Sequence, residues 1–337
     1  MNTIELAKKY AALLDEAYME SSKTAVLESD STLAREGANA NEICVPMIDM
    51  DGLADYSRNS GYVKGDNSLT WQTVQFNYER GRMFSVDRMD NEETQNLAFG
   101  RLAGEFLRTK AIPELDAFRF SKICEKGAIK KLETLNTGDN IISAIRAAAT
   151  AMDNDQVPLE DRYLFVTSEI KGMIDDMDNN KSRAVMAGFA GITVVPQTRF
   201  YTRIALLDGV SEGEKAGGYT RAPERYVLTA AQPADWATNY TSYFTKSGEQ
   251  YTAVSAGSGA PSWSSGTYYA KEAAGGFINF MVIHKPAVIQ FTKHAIPKII
   301  TPEMNQDADA WKYGYRNYGL TEVYANKTSG VYTSYHN

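Results

Sequence analysis

The stretch DNEETQNLAFGRLAGEFLRTKAIPELDAFRFSKICEK, Asp90 to Lys126, decides the fold. Asp90 stands three residues before Glu93, a capping-box signal, and Leu97, Phe99, Leu102, Phe106 and Leu107 follow at helical spacing. Pro113 lacks an amide donor and pushes Ile112 away from the α region, so a bend or interruption is expected there. Leu115, Phe118, Phe120 and Ile123 then resume the pattern. About 35 residues of helix at 1.5 Å each span roughly 50 Å, longer than a compact domain of this size needs. The spacing predicts one long spine helix in an elongated subunit.

Upstream of the spine, residues 3–20 carry Ile4, Ala7, Ala11, Leu14 and Tyr18 with Leu6, Tyr10, Leu13 and Ala17 alongside, the stripe of an amphipathic helix that must dock on something. Ser21 to Asn41 is small and polar and reads as an extended arm anchored at Val26, Leu27 and Leu33. Ile43 to Met50 and Leu69 to Phe84 are strand-like, separated by the turn-rich Asp51 to Asn67, and together predict a long hairpin with a broad tip. Leu69 and Trp71 fall on one face and Val74, Phe76 and Tyr78 on the other, so both faces need partners. Two readings follow: a sheet edge packed inside its own subunit, or an arm laid across a neighbour.

Downstream, Asp139 to Met152 predicts a helix with Ile141, Ile142, Ile145 and Ala148 buried. Tyr163 to Val166 and Gly191 to Val195 predict buried strands, with Ser168 capping a helix between them, in a mixed α/β lobe. Ile204 to Leu207 and Tyr226 to Thr229 are further strands. Ser247 to Gly276, rich in Gly and Ser, predicts a surface loop pinned by Trp263, Tyr268 and Tyr269, with a displayed glycan-binding loop as the sharper alternative. Phe277 to Ile283, Ala287 to Thr292, Val323 to Tyr324 and Val331 to Tyr335 close the chain as strands.

At 337 residues the chain is long enough for more than one lobe. Its 35 basic and 42 acidic residues give a net charge of -7, which argues against a broad surface for gripping nucleic acid. The 20 tyrosines suit contact surfaces, since each ring carries a polar tip. Cys44 and Cys124 are too few for a disulfide framework or a cysteine zinc site, and two free thiols are expected. No run of 18 apolar residues and no basic-then-apolar leader pattern is present, so neither a membrane span nor export is indicated.

The chain contains no phosphate-binding loop, no G-x-G-x-x-G, no H-E-x-x-H and no G-x-S-x-G. Histidine is limited to His284, His294 and His336. The first two would serve a hydrolase only by converging with Asp307 or Asp309, and they sit as naturally at strand ends. Asp49, Asp51 and Gly52 open like a calcium loop, but Leu53, Ala54 and Tyr56 supply no ligand oxygens. Asp175, Asp176 and Asp178 read as a solvated turn. No catalytic residue, cofactor or metal is assigned, and a non-enzymatic role is expected.

The C-terminal run supplies a resemblance. Phe277-Ile-Asn-Phe-Met-Val-Ile-His284-Lys-Pro286, Lys293-His294-Ala295-Ile-Pro297-Lys298, Asn305-Gln-Asp-Ala-Asp309-Ala-Trp311-Lys-Tyr-Gly-Tyr315-Arg316 and Asn326-Lys327 before Gly330-Val-Tyr332 resemble the C-terminal block of tailed-bacteriophage major capsid proteins. The upstream order, with Phe84-Ser-Val-Asp87-Arg88-Met-Asp90 and Gly191-Ile-Thr-Val-Val-Pro196, is similar too. Tyr318-Gly319 stands where relatives tend to carry a His-Asp pair, so no role of that pair transfers.

The resemblance implies the α+β fold first seen in phage Hong Kong 97. Its parts would be an N-terminal helix and arm (1–42), an extended-loop hairpin (43–89), a spine helix of the peripheral domain (90–135), an α/β axial domain (136–276) and a return to the peripheral-domain sheet (277–337). It implies a self-assembling shell subunit in pentamers and hexamers around double-stranded DNA held without sequence specificity. Partners would be a separate scaffolding protein, a portal and a decoration protein, in a virion capsid assembled in the bacterial cytoplasm with no membrane. An encapsulin-like cargo compartment is the alternative. Candidate inter-subunit contacts are Lys64, Trp71, Phe76, Tyr78, Arg80 and Arg82 of the hairpin and Tyr10, Leu14 and Tyr18 of the N-terminal helix. Lys64 is also the position to consider for the Lys to Asn bond that joins subunits in some relatives.

Overall fold

The computed structural model describes residues 22–29, 35–36, 41–56, 58–59, 61–93, 97–177, 180–234, 236–255 and 260–337. The expected helix over 3–20, with Tyr10, Leu14 and Tyr18, lies outside the described residues.

In chain order, β1 (Arg35–Glu36), β2 (Glu42–Met50) and β3 (Asn67–Gln75) form an antiparallel sheet, and β4 (Tyr78–Asp87) follows at once. Helices α1 (Arg88–Glu93), α2 (Leu97–Phe106) and α3 (Ile112–Lys126) come next, with a π turn at Leu107–Ala111. Then come β5 (Ile129–Leu132), α4 (Gly138–Asn154), β6 (Arg162–Thr167), α5 (Ser168–Asp175), α6 (Asn180–Met186), β7 (Gly191–Val195), β8 (Ile204–Leu206), β9 (Tyr219–Arg221) and β10 (Arg225–Leu228). The remainder is α7 (Trp236–Asn239), β11 (Tyr243–Ser247), β12 (Gln250–Ala253), β13 (Tyr268–Glu272), β14 (Phe277–His284), β15 (Val288–Ile300), β16 (Ala310–Val323) and β17 (Val331–His336).

The helical stretch starts at Arg88, so Asp90 lies in its first turn rather than capping it. The expected interruption at Pro113 takes the form of the π turn that ends just before it. Ile112 keeps helical angles, φ -69 and ψ -45, and its N–H donates to Leu107 O, five residues back. Pro113 then falls in the first turn of α3, where a missing donor costs little.

Helix α3 lies on one face of a mixed sheet ordered β5-β17-β14-β6-β7. Phe120 meets Phe165 of β6 and Phe200 edge-on, with ring centroids 5.2 and 4.9 Å apart, and Met281 and Ile283 of β14 complete that core. Alternate strand residues Leu164, Val166, Phe280 and Val282 face the other way, against Ile141, Ile145, Ala148 and Met152 of α4. A register shift between Ile278 and Phe280 puts Ile278 on the same side as Met281. Thr167, not Ser168, caps α5, its hydroxyl accepting from Ile170 N.

A second sheet, β15-β16-β4, packs Tyr313, Tyr315, Phe84 and Val86 against Leu107 and Ile112. The single strand expected over Leu69 to Phe84 is therefore two strands in two sheets, which shortens the hairpin to 42–75. The break comes at Asn77, whose side chain donates to Thr321 O at 2.8 Å and accepts from Thr321 N at 3.1 Å, a side-chain substitute for the ladder. Residues 277–337 likewise do not return to one sheet: β14 and β17 are interior strands of the first, while β15 and β16 build the second. Both of the latter outrun their expected lengths. Pro297 is tolerated because β15 is an edge strand.

The Ser247 to Gly276 stretch, expected as loop, is loop only in part: β12 and β13 within it join β10 and β11 in the order β10-β13-β11-β12, and the described residues between β12 and β13 form no strand. The two strands are only four and five residues long, too short to stand out from the Gly- and Ser-rich turns around them. The aromatics do pin this segment, with Trp236 4.9 Å from Trp263 and 4.5 Å from Tyr268, and its indole N–H donating to Pro261 O at 2.9 Å.

Residues 22–29 of the arm are strapped onto α3. Leu27 is wholly buried in the α3 core. Asp116, also fully buried, accepts from Ser22 Oγ (2.9 Å), Lys23 N (3.0 Å) and Thr24 Oγ1 (2.7 Å) and pairs with Arg199 at 3.3 Å. One turn on, Arg119 donates to Thr24 Oγ1 at 3.1 Å and to Thr292 Oγ1 at 3.0 Å. Removing one partner from so buried a set strands the rest. Asp116→Ala is expected to lower stability of the unassembled chain by about 3 to 5 kcal/mol. It should also expose residues 22–29 to protease; unchanged urea unfolding and cleavage would refute this role.

Candidate functional site

The hairpin is where the chain leaves surface uncovered. Directly paired residues share a face, so Ile43 opposite Val74 and Val45 opposite Gln72 lie on one side and Pro46 opposite Trp71 and Ile48 opposite Leu69 on the other. At the root the first side is closed by Ile289 and Leu320, leaving Val45 and Val74 buried. The second side is open: Trp71 is 39%, Leu69 57%, Ile48 62% and Met50 71% exposed. The expectation of two apolar faces thus resolves into one face closed at its root by the subunit and one on which Ile48, Met50 and Leu69 are largely exposed.

Nine residues per strand carry this stripe about 30 Å from the root. At the tip, Asp51 Oδ2 accepts from Asp66 N at 2.7 Å, and Tyr56 and Tyr62 meet edge-on at 4.8 Å. Leu53, Tyr62 and Val63 project into solvent. Lys64 is exposed in the same turn. Asp51 is spent on closing the tip, and the side chain of Asp49 lies outside the described residues.

The other hairpin candidates do different work. Phe76 is half-buried against Tyr318, with centroids 4.7 Å apart and Lys293 over the ring at 5.2 Å. Tyr78 is buried within its own chain, its ring 4.8 Å from Phe118 and its hydroxyl 3.3 Å from Glu114 Oε1. Burial, with the Glu114 carboxylate beside it, pushes that phenol well above its ordinary range. Arg80 Nε pairs with Glu114 at 2.7 Å while its Nη2 donates to Leu207 O at 2.6 Å and Gly218 O at 3.2 Å. Arg82 donates to Ala216 O and Lys215 O, each at 3.0 Å. Gly217, at φ +65, leaves the room this needs: a Cβ there would stand 2.8 Å from Arg82 Nη1. Arg80 and Arg82 thus clamp the 207–218 loop of their own subunit and Tyr78 packs in its interior, all three from β4 rather than from the hairpin.

The histidines do not converge. His284 ends β14 opposite Arg162, whereas His294 lies in β15 opposite Tyr318, in the other sheet. Burial first, then Lys327 and Arg162, hold the His284 imidazole below its ordinary range. Asp307 bonds Lys312 at 2.6 Å and Asp309 lies 3.9 Å from Arg88. Among the described residues no group of three or more His, Cys, Asp or Glu is placed to hold a metal ion, and no helix is long and apolar enough to cross a membrane. Both cysteines are free, and burial raises the Cys124 thiol.

A strap, an outstanding hairpin, a long helical stretch between two sheets and a third small sheet define the α+β fold of phage capsid subunits. Mycobacterium phage Che8 is similar at TM-score 0.50 and 12% identity, over 88% of this chain and 85% of that one. The subunit in the asymmetric unit of the bacteriophage PhiM1 mature capsid is similar at TM-score 0.50 and 8% identity, over 88% and 82%. A virus-like particle from Pyrococcus furiosus aligns over 99% of this chain and 100% of its own at TM-score 0.49 and 8% identity. No family model and no curated protein matches the chain.

The uncovered stripe gives a separable expectation. Leu69→Asp, at an exposed position, should change the stability of the unassembled chain by no more than about 0.5 kcal/mol. It should nonetheless abolish association; denaturant unfolding and sedimentation of the same sample check both.

Proposed function

We propose that the chain is a structural major capsid subunit whose copies associate as pentamers and hexamers into an icosahedral shell. The observation that carries this reading is the apolar hairpin stripe left open in a chain with a capsid fold. An exposed stripe of Trp, Ile, Leu and Met is a liability on a solitary protein and an asset on a repeated one. In this reading the sheet β4-β15-β16 with α1 to α3 forms the peripheral part, and the five-stranded sheet with α4 and α5 the axial part. The hairpin lies across a neighbouring copy, Trp71 and Phe76 near its root and Lys64 at its tip. Many contacts of modest area then make loss of any one subunit improbable.

The contents follow from the charge. A chain of net charge -7 suits a container whose wall does not hold phosphate tightly, so the reading extends to packaged double-stranded DNA in the virion of a tailed phage. A separate scaffolding protein would direct assembly in the host cytoplasm, with a portal and a decoration protein as further partners.

The test is negative-stain microscopy and sizing of the protein expressed alone and then with its neighbouring phage genes. Closed shells are expected, and shells filled with DNA support the phage reading while shells filled with protein cargo support an encapsulin-like one. A monomer or small oligomer under both conditions contradicts both.

A further inference from the structure

An acidic chain, net -7, contains a cleft of opposite sign. The cleft, about 960 Å³, opens between the π turn, β4 and the 198–221 loops. Its walls carry Arg80, Arg82, Arg108, Lys110, Arg199 and Arg221 against only Glu114 and Asp208. Neither carboxylate is available to a new cation. Glu114 is engaged by Arg80 and Tyr78. Asp208 accepts from the Ser211 hydroxyl and from Val210 N and Ser211 N, bonds that hold it below the usual carboxylate range.

The cations are less fully matched. Arg108 pairs with Glu105 and Arg199 with Asp116. Arg82 has only carbonyl partners, and Arg221 donates to Gly275 O and lies 4.4 Å from the Phe277 ring centre. Among the described residues Arg82, Arg221 and Lys110 form no ion pair with a carboxylate. The floor is aromatic, with Phe84, Phe106 and Tyr315. A bounded cleft with cationic walls and an apolar floor fits a short acidic, apolar peptide better than a duplex, which spreads charge along an axis and calls for an extended basic stripe.

The chain itself presents such a peptide. The first limb of the hairpin tip, Met50-Asp-Gly-Leu-Ala-Asp-Tyr56, alternates carboxylates with large apolar groups and contains no Lys or Arg. Met50, Leu53 and Tyr56 are 71%, 108% and 59% exposed, so the limb does not occupy the cleft of its own chain. We propose that residues 50–56 of one copy seat in the cationic cleft of a second copy, with Asp55 facing the Lys110 wall and Leu53 meeting the aromatic floor. This rests on the shell reading and names the receptor surface for the hairpin. The arginines that line the cleft also anchor the 207–218 loop, so the subunit's own clamp prepares the surface that takes its neighbour.

The test is a charge exchange across the contact, using the full chain under conditions in which the wild type forms shells. Asp55 and Lys110 are both exposed, and matching unfolding curves separate misfolding from lost contact. Asp55→Lys and Lys110→Glu should each cut shell yield by roughly tenfold or more, because like charges then face each other. The double variant should return to within about twofold of wild type, the signature of coupled partners. Should Lys110→Glu lower stability itself, Lys110→Gln should still give an intermediate loss of yield. Wild-type shells indifferent to both single changes, a double variant no better than the worse single, or sensitivity to Lys110 but not Asp55 would overturn this inference alone. A wild-type chain that forms no shell overturns the shell reading and this inference with it.

Discussion

A two-stranded ribbon about 30 Å long cannot bury an apolar face by itself. That constraint shapes the molecule. The root of the hairpin is fixed by Ile289 and Leu320, and Asn77 hands the chain directly from the hairpin ladder to the β15-β16-β4 sheet. The hairpin is thus anchored at its root, and beyond it the large side chains opposite one another at Ile48 and Leu69 stand largely exposed.

The rest of the subunit supplies a firm base for that launch. Helix α3 serves as its hub, presenting Phe120 to the first sheet, Glu114 to the β4 clamp and Asp116 with Arg119 to the arm strap. Burying Asp116 is tolerable only because donors from Ser22, Lys23 and Thr24 of the strap and the Arg199 guanidinium surround it. Apolar packing alone would let the strap slide along the helix; directed hydrogen bonds set its register. Strap, clamp and core therefore meet on one helix, and displacement of any one is felt by the others.

Much of this was legible in the sequence, through particular residues. The Ile141 to Met152 periodicity and the β-branched runs at Tyr163, Gly191 and Phe277 marked their elements because burial on one or both faces leaves a plain pattern. The C-terminal resemblance pointed to the fold that the solved structures share. The hairpin was legible as an element, but its register was not, since a broad turn sets no pairing, and register decides that Leu69 is open while Val74 is closed. Tyr78, Arg80 and Arg82 were read as part of the hairpin because nothing local announces that one continuous β-prone run changes sheets at Asn77. Pro113 marked the interruption but not its form, because a π turn is a backbone adjustment with no residue signature. In the Gly- and Ser-rich stretch, two strands of four and five residues are too short to leave a pattern of their own, and their partners lie across the same small sheet.

The most direct measurement of the central claim is a cryo-electron microscopy reconstruction of purified particles at side-chain detail. The expected result is that each hairpin lies on an adjacent copy with the Trp71, Leu69, Ile48 and Met50 face buried against it. Particles in which that face stays in solvent, or is covered by its own chain, would contradict the reading of the hairpin as the element that joins subunits.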